Sequence, residues 1–292
     1  SKLILLGLLT VTLLGAIIML GINRMVTSDI KDWTAGGIFS DTIGPGDEPR
    51  TYRVLDQAGL DLLEQVVFNG GDQVLFERGS SFEGPLSLKR SDVRPDQVIT
   101  VGDFGDPDAP RPAIHADAHG MGTIDIRDSG GWTIENLELT NRSEKRSTRM
   151  GIYITAENTG THSNFVVRNC YIHDVTGVHD DFNNCGIVFR VTGTEAPTNF
   201  DGVLIENNEI RNISGVGIRT KSTWESSKED PRGLNRYLLG RHAHLNVVVR
   251  GNRVSDVTRN AIIVGSADGP LLEYNVMGAN IATETTGNTL YT

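Results

Sequence analysis

Short runs of alternating apolar and polar residues recur along the chain. One pattern, apolar-x-apolar, then a polar pair centred on Asn or Gly, then an apolar residue, occurs five times. The segments are WTIENLEL (132–139), FVVRNCYI (165–172), VLIENNEI (203–210), VVVRGNRV (247–254) and PLLEYNVM (270–277). A second run follows four of them, GIYI at 151, GIVF at 186, GIRT at 217 and AIIV at 261, with TLYT at 289 as the expected fifth. Such short units with variable insertions predict a solenoid of three short strands per turn, whose stacked turns form parallel sheets around one core.

The polar pair predicts the bend between two strands of each turn. Its equivalent first positions are Asn136, Asn169, Asn207, Gly251 and Tyr274. Asn tolerates left-handed backbone angles, and its amide can bond to the Asn of the next coil. We therefore interpret Asn169, Asn207, Asn208, Asn252 and Asn275 as ladder residues, with Asn169 and Asn207 at equivalent bends of neighbouring coils.

The N-terminal segment predicts a membrane anchor or signal. The run from Leu3 to Ile22 contains no charged residue and is long enough to cross a bilayer as a helix. No clear small-residue cleavage site follows it, which favours an uncleaved anchor over a cleaved signal. The rest of the chain is then expected in the cell envelope or outside the cell. The predicted organisation is an anchor or signal at 1–28, a linker at 29–54 and the solenoid at 55–292.

A short amphipathic helix precedes the strand-like runs. Leu55, Ala58, Leu62 and Val66 fall three or four residues apart, and the pattern ends at Asn69. From residue 70 onward the chain resembles the superfamily of right-handed parallel β-helices that includes pectate lyases and polygalacturonases. The stretches GDQVLFERGSSFEGPLSL and VITVGDFGDPDAPRPAI resemble the opening coils of its secreted members. The resemblance implies an all-β, single-stranded, three-sheet β-helix with an N-terminal capping helix at 55–68. Because the sequence stops inside a coil, we expect further coils to be missing.

Composition narrows the classes of partner. A net charge of −10 leaves no basic surplus for nucleic acid, and two cysteines exclude a disulfide-dense scaffold. The resemblance implies a polysaccharide as the partner. We expect a monomer that acts on it, held at the membrane through its N-terminal segment.

In this superfamily the substrate usually lies on the sheet formed by strands of the Gly-Ile type. Alternation predicts that the outward residues of these strands are Asp125 and Arg127, Tyr153 and Thr155, Val188 and Arg190, Arg219 and Lys221, and Ile263 and Gly265. An acidic protein would thus carry four cations on one face. This favours binding of an anionic, uronate-containing polysaccharide, with Arg127, Tyr153 and Arg190 in contact with it.

The main hypothesis is β-elimination on this face. Arg219 would neutralise the uronate carboxylate, because its planar fork pairs with a carboxylate in two places. Lys221 would remove the proton, its pKa lowered by the neighbouring Arg190 and Arg219. Tyr153 or His173 would protonate the leaving oxygen.

Long loops flank the expected face and carry acid–base residues. His173 and Asp174, followed by His179, Asp180 and Asp181, form the densest group. Paired carboxylates there would fit glycoside hydrolysis, with Asp180 and Asp181 at the substrate, and turn chemistry is the other interpretation. Trp224, in the long excursion at 222–246, would either stack on a sugar or pack its own loop.

Metal binding is weakly indicated. His242 and His244 could face one metal but lack a third ligand nearby in sequence. Asp103, Asp106 and Asp108 leave calcium open, although turn chemistry also explains them. We therefore assign no metal ligands. A non-catalytic glycan-binding solenoid or adhesin is the alternative from a different functional class.

Overall fold

The computed structural model describes residues 38–40, 49–91, 96–117, 119–177, 182–225 and 242–278. The apolar run at 3–22, the acidic residues Asp180 and Asp181, and the run TLYT at 289 lie outside them. No helix within these ranges is long and apolar enough to span a bilayer.

The described residues form one short α-helix, α1 (Gln57–Leu63), a single-turn 3₁₀ helix (Thr223–Glu225) and 23 short strands. In chain order the strands are β1 (Ile38–Ser40), β2 (Thr51–Val54), β3 (Val67–Phe68), β4 (Gln73–Glu77), β5 (Ser81–Glu83), β6 (Leu86–Arg90), β7 (Ile99–Phe104), β8 (Ala113–His115), β9 (Gly122–Arg127), β10 (Trp132–Glu135), β11 (Glu138–Arg142), β12 (Met150–Glu157), β13 (Thr161–Arg168), β14 (Tyr171–Thr176), β15 (Cys185–Thr192), β16 (Asn199–Glu206), β17 (Glu209–Ile213), β18 (Val216–Ser222), β19 (Leu245–Arg250), β20 (Arg253–Val257), β21 (Ile262–Val264), β22 (Leu271–Glu273) and β23 (Val276–Met277).

These strands form three sheets, and each coil from β4 to β21 contributes one strand to each sheet. Sheet I has the order β1-β2-β4-β7-β10-β13-β16-β19-β22, sheet II the order β5-β8-β11-β14-β17-β20-β23, and sheet III the order β3-β6-β9-β12-β15-β18-β21. Apart from the antiparallel pair β1 and β2, neighbouring strands are parallel. This confirms the predicted parallel β-helix and its three-strand repeat.

Apolar side chains stack in register along the inside. In sheet I, Ile134, Val167, Ile205 and Val249 occupy equivalent positions in successive coils, and all are at most 1% exposed. Full burial of one such side chain contributes about 1.5–3 kcal/mol, more than the roughly 1 kcal/mol net of a single hydrogen bond. The stacked apolar rows therefore dominate the stability of the solenoid.

The residues at the bend between sheets I and II occupy equivalent positions in successive coils, as the repeat predicts. Asn136, Asn169, Asn207, Gly251 and Tyr274 all have positive φ angles, between 55° and 63°. The amide ladder lies one residue later, because Oδ1 of Asn252 accepts from the side chain of Asn208 and Oδ1 of Asn275 accepts from that of Asn252, each at 3.0 Å. The predicted ladder residues thus divide into two roles, the left-handed bend at Asn169 and Asn207 and the ladder itself.

The Gly of the Gly-Ile strands is required by close stacking of the coils. A Cβ atom at Gly151, Gly186 or Gly217 would lie 2.5–2.7 Å from the carbonyl oxygen of the equivalent residue one coil along. It would also meet a core side chain of sheet II at 2.5–2.7 Å. Any larger residue would therefore force neighbouring coils apart at this corner.

The helix differs from the prediction in length and face. It spans seven residues, begins at the cap Asp56, and buries Leu60 and Leu63 while Leu62 is 42% exposed. The segment contains two overlapping sets of apolar residues at helical spacing. The set that packs against the core contains Leu60 and Leu63, whereas the predicted set contains Leu62. The first parallel pair, β2 with β4, also begins upstream of residue 55, within the segment expected to be a linker.

Candidate functional site

The outer face of sheet III carries the four predicted cations. Strand register places Arg127, Thr155, Arg190 and Lys221 in one row across four neighbouring strands. Arg219 lies in the adjacent row beside Val188. Neighbouring strands are about 4.8 Å apart, so adjacent members of a row are close enough to contact one ligand. We call Arg127, Arg190, Arg219 and Lys221 the cationic face.

The arginines of the cationic face differ in how they are paired. Arg127 donates two hydrogen bonds to Asp125, at 3.0 and 2.8 Å, and this carboxylate raises the pKa of the guanidinium. Arg219 donates to the Phe182 carbonyl at 2.5 Å and lies 5.9 Å from the centre of that ring. Among the described residues, Nε of Arg190 and Nε of Arg219 are buried without a hydrogen-bond partner.

Tyr153 corrects the expectation of an open face. Its side chain is only 8% exposed and packs with Met150, Cys185, Val188 and Val216 in a small apolar cluster outside the main core. Alternation gives the side of the sheet that a residue faces, but it does not reveal a second layer of packing on that side. The burial of Tyr153 does not favour its predicted role as proton donor, which stays a prediction.

A second polar site lies on the outer face of sheet II. An open cavity of about 500 Å³ is lined by Tyr171, His173, Asp174, Arg211, Asn212 and Asp256. These residues come from β14, β17 and β20, or equivalently from three successive coils. We call this the acid–base pocket.

The backbone places three polar side chains at the same point of successive coils. Asp174, Asn212 and Asp256 have φ angles of 52°, 52° and 53°, and strand register aligns their neighbours His173 with Arg211 and Arg211 with Ser255. Asn and Asp are the side chains that enter this left-handed region most readily. Each coil thus presents a carboxylate or an amide at the same place in the pocket.

Hydrogen bonds hold Asp174 in its ionised form. Its carboxylate accepts from Nδ2 of Asn212 at 2.5 Å and lies 3.0 Å from Nδ1 of His173. Partial burial favours the neutral acid, but these hydrogen bonds and the nearby charges of His173 and Arg142 outweigh it and lower the pKa of Asp174. Asp174 thus presents an ionised carboxylate at the pocket.

His173 connects two carboxylates at the edge of the pocket. Its Nε2 atom lies 3.1 Å from Oε1 of Glu138, opposite the contact with Asp174, and the Tyr171 ring stacks on the imidazole at 4.2 Å. Both contacts are hydrogen bonds when the imidazole carries two protons. Across the pocket, Nε of Arg211 donates to Asp256 at 2.8 Å. Charges of both signs are therefore fixed around the cavity.

The residues predicted as one catalytic group divide between the two faces. His173 and Asp174 belong to β14 in sheet II, while Arg219 and Lys221 belong to β18 in sheet III. The chain turns a corner between these sheets in every coil, so residues of the two strands face different directions. A single mechanism that uses all four residues is not supported by this arrangement.

The remaining predicted residues have structural roles. Trp224 packs against the main core and makes an edge contact with His242, as expected for loop packing. His244 is 1% exposed, accepts from the Phe200 amide at 3.2 Å, and has its pKa lowered to about 4 by burial. Asp103 pairs with Arg78 at 2.5 Å, and Asp106 closes a turn with the Asp108 amide. No group of three or more His, Cys, Asp or Glu within the described ranges could hold a metal.

The pocket residues on β17 and β20 were missed from the sequence. A signal was present, since HDVT (173–176), RNIS (211–214) and SDVT (255–258) repeat a polar residue, Asp or Asn, an apolar residue and a hydroxyl residue. Alignment of these segments would have placed Arg211, Asn212 and Asp256 beside Asp174.

Comparison with known proteins bears on the fold. No protein-family model matches the chain. A lacto-N-biosidase of Bifidobacterium longum subsp. longum is 27% identical over 273 residues, which cover 70% of this chain and 17% of that protein. The solved structure of a GH136 lacto-N-biosidase from Eubacterium ramulus, as its selenomethionine derivative, is 24% identical at a TM-score of 0.62. The native crystal of that enzyme gives 23% and 0.61.

These similarities support the fold. The match to the Eubacterium ramulus selenomethionine structure covers 78% of this chain and 44% of that chain. The chain therefore spans less than half the length of the relatives it matches. The resemblance to the β-helix superfamily is confirmed at the level of the architecture.

Proposed function

We propose that this protein is a glycoside hydrolase whose chemistry is centred on Asp174 in the acid–base pocket. The observation that carries the proposal is an ionised carboxylate, fixed by Asn212 and His173, at the wall of an open cavity of about 500 Å³. Glycoside hydrolysis by carboxylates needs one ionised group, either as nucleophile or as the base that activates water. The similarity to lacto-N-biosidases supports hydrolysis over elimination.

The substrate in this proposal is an oligosaccharide related to those of lacto-N-biosidases. The pocket is open and presents donors and acceptors from three coils, which suits the hydroxyl groups of a sugar. Arg211 and Asp256, held together at 2.8 Å, form one wall and would orient the sugar opposite Asp174.

A second group must protonate the leaving oxygen. Asp256 is already engaged by Arg211, whose Nε lies 2.8 Å from its carboxylate. Asp180 and Asp181 follow β14 within a few residues of Asp174, and we propose that one of them is the general acid. The two carboxylates of a retaining enzyme lie about 5–5.5 Å apart, and those of an inverting enzyme about 6.5–9.5 Å.

Variants tested on two substrates would separate these roles. Asp174→Asn, Asp180→Asn, Asp181→Asn and Asp256→Asn are assayed on a natural oligosaccharide and on the 4-nitrophenyl glycoside of lacto-N-biose, whose leaving group needs little protonation. We expect Asp174→Asn to be inactive on both, and the general-acid variant to keep activity on the aryl glycoside alone. Full activity of Asp174→Asn on the natural substrate would refute the proposal.

Elimination on the cationic face is the second candidate. The adjacent positions of Arg190 and Lys221 favour it, since a uronate carboxylate and its acidic proton could be served by neighbouring strands. Ultraviolet absorbance of an unsaturated product, measured on a panel of uronate polymers, tests this candidate. Its loss in Lys221→Ala would support the assignment of Lys221 as base.

A further inference from the structure

We propose that Phe182 is a positioning residue for the acid–base pocket and that Arg219 and Arg259 hold it in place. The inference rests on the proposed function, because it concerns the general acid assigned there to Asp180 or Asp181. Phe182 follows Asp181 directly in the sequence. We call Phe182, Arg219 and Arg259 together the arginine clamp.

The arginine clamp joins residues from three successive coils. Nη1 of Arg219, on β18, donates to the Phe182 carbonyl at 2.5 Å, and Cζ of Arg219 lies 5.9 Å from the centre of the Phe182 ring. Cζ of Arg259, which lies between β20 and β21, is 4.7 Å from the centre of the same ring. Sγ of Cys185 also donates to the Phe182 carbonyl, at 3.6 Å. Both the backbone and the side chain of Phe182 are therefore held.

These contacts fix Phe182 where burial does not. Its side chain is 40% exposed, and within the described ranges it belongs to neither of the two buried apolar clusters. A guanidinium within about 6 Å of a ring centre is attracted by the negative face of that ring. The contacts therefore place the chain at this point of the surface and contribute little to the core.

The arginine clamp fixes one end of a short connection whose other end is fixed beside the pocket. The Gly177 amide donates to Oγ of Ser214 at 2.9 Å, and Ser214 directly follows β17, a strand that lines the pocket. Only residues 178–181, which lie outside the described ranges, connect Gly177 with Phe182. Because consecutive Cα atoms are about 3.8 Å apart, the position of Phe182 restricts that of Asp181.

The position of a general acid decides how well it works. The acid must come within about 2.6–3.2 Å of the oxygen that it protonates, and a misplacement of about 1 Å can lower a rate by about 10²-fold. Asp174 does not depend on the arginine clamp, since Asn212 and His173 hold its carboxylate. Loosening the clamp therefore impairs protonation of the leaving oxygen and leaves the ionised carboxylate in place.

The dependence of activity on the leaving group tests the arginine clamp. Phe182→Leu and Arg259→Gln are assayed on a natural oligosaccharide and on the 4-nitrophenyl glycoside of lacto-N-biose, whose leaving group needs little protonation. We expect kcat on the oligosaccharide to fall by about tenfold to a hundredfold in Phe182→Leu and by about threefold to tenfold in Arg259→Gln. Activity on the aryl glycoside should stay within about twofold, which a general loss of structure would not allow.

Phe104→Leu is the matched control. Cζ of Arg53 lies 5.9 Å from the centre of the Phe104 ring, so this variant removes a similar contact from sheet I. It should leave activity on both substrates within about twofold. An equal loss on both substrates in folded Phe182→Leu, or an unchanged activity on the oligosaccharide, would overturn the positioning role.

Hydrogen exchange of the peptide that covers residues 178–182 separates the arginine clamp from the chemistry. We expect its amides to exchange about tenfold faster in Phe182→Leu than in the wild-type protein, and at the wild-type rate in Phe104→Leu. This result supports the clamp even if Asp174→Asn is fully active, an outcome that refutes hydrolysis at the pocket alone. Unchanged exchange in both Phe182→Leu and Arg259→Gln would overturn the clamp whatever the activity.

Discussion

The outer faces of sheets II and III are built from the same coils but differ in how their charged side chains are paired. On sheet II, the carboxylates have partners within the protein, as in the contact of Arg211 with Asp256 and that of Asp174 with His173. On sheet III, Arg190 and Arg219 retain buried donors without partners among the described residues. The difference teaches that paired groups can preorganise a polar site, whereas a buried donor without a partner carries a desolvation cost.

Sheet I contains a row of charged side chains that pair with one another, and this row is the reference for a purely structural role. Glu135, Arg168, Glu206, Arg250 and Glu273 occupy one register position in successive coils, with alternating sign. Arg168 bonds to Glu135 at 2.6 Å and Arg250 to Glu206 at 2.8 Å. A row that alternates neutralises itself, whereas the row formed by Arg127, Thr155, Arg190 and Lys221 contains no acidic residue.

The largest expected effect is loss of hydrolysis when Asp174 is neutralised. Asp174→Asn keeps the shape and the left-handed backbone but removes the base or nucleophile. We expect kcat to fall by about 10²–10⁴-fold, the usual contribution of such a group. Asp201→Asn on sheet I, where the carboxylate only accepts from Asn246 at 2.8 Å, is the matched control and should remain active.

The next largest effect is a loss of folding stability at low pH. This loss must be distinguished from a loss of activity that arises when residues of the acid–base pocket are protonated. His244 has a pKa of about 4 in the folded protein against 6.5 for an ordinary histidine. The unfolded chain therefore binds the proton first, and stability falls as the pH drops from about 6.5 to 4, by up to about 3 kcal/mol.

Chemical denaturation at several pH values measures this loss of stability. His244→Asn retains an acceptor for the Phe200 amide but does not titrate, so its unfolding free energy should depend less on pH. An equal pH dependence in both proteins would contradict the assignment to His244.

A smaller expected effect, on kcat/KM for a neutral oligosaccharide, distinguishes the outer face of sheet II from that of sheet III. Arg211→Gln removes the partner of Asp256 and should lower kcat/KM for a neutral oligosaccharide by about tenfold, the equivalent of roughly 1.4 kcal/mol. Arg190→Gln, on sheet III, should change the same quantity by less than about twofold. If Arg190→Gln were the more damaging variant for a neutral substrate, hydrolysis would have to be reassigned to sheet III.

The smallest expected effect is a shift in the pH profile. Asn212→Gly keeps the positive φ angle but removes the amide that donates to Asp174 at 2.5 Å. Without this donor the pKa of Asp174 rises, so the acidic limb of kcat/KM should move to higher pH. An unchanged limb would show that the titrating base is another group.

The architecture was predictable because its signal is local and repeated. Apolar alternation and the polar pair fixed by Asn169 and Asn207 recur in each coil, so the parallel sheets and their register follow from the pattern. The helix face was not predictable in the same way, since both Leu62 and Leu63 fit a helical period and only packing against the first coil chooses between them.

The site was predictable only in part. Alternation correctly placed Arg190 and Lys221 in one row, because strand period and parallel register determine it. It could not show that Tyr153 is covered by a second apolar layer, nor that His173 and Lys221 lie on different sheets. Those facts depend on the corners between strands, where the sequence pattern carries little information on direction.

The most direct test of hydrolysis at the acid–base pocket is mass spectrometry of the products formed in heavy-oxygen water. The protein and its Asp174→Asn variant are incubated with a neutral oligosaccharide and with a uronate oligosaccharide. We predict that the wild-type protein releases a saccharide containing one heavy oxygen at its new reducing end, and that Asp174→Asn does not. Unsaturated products without heavy oxygen, formed equally well by Asp174→Asn, would contradict the account and return the chemistry to elimination on the cationic face.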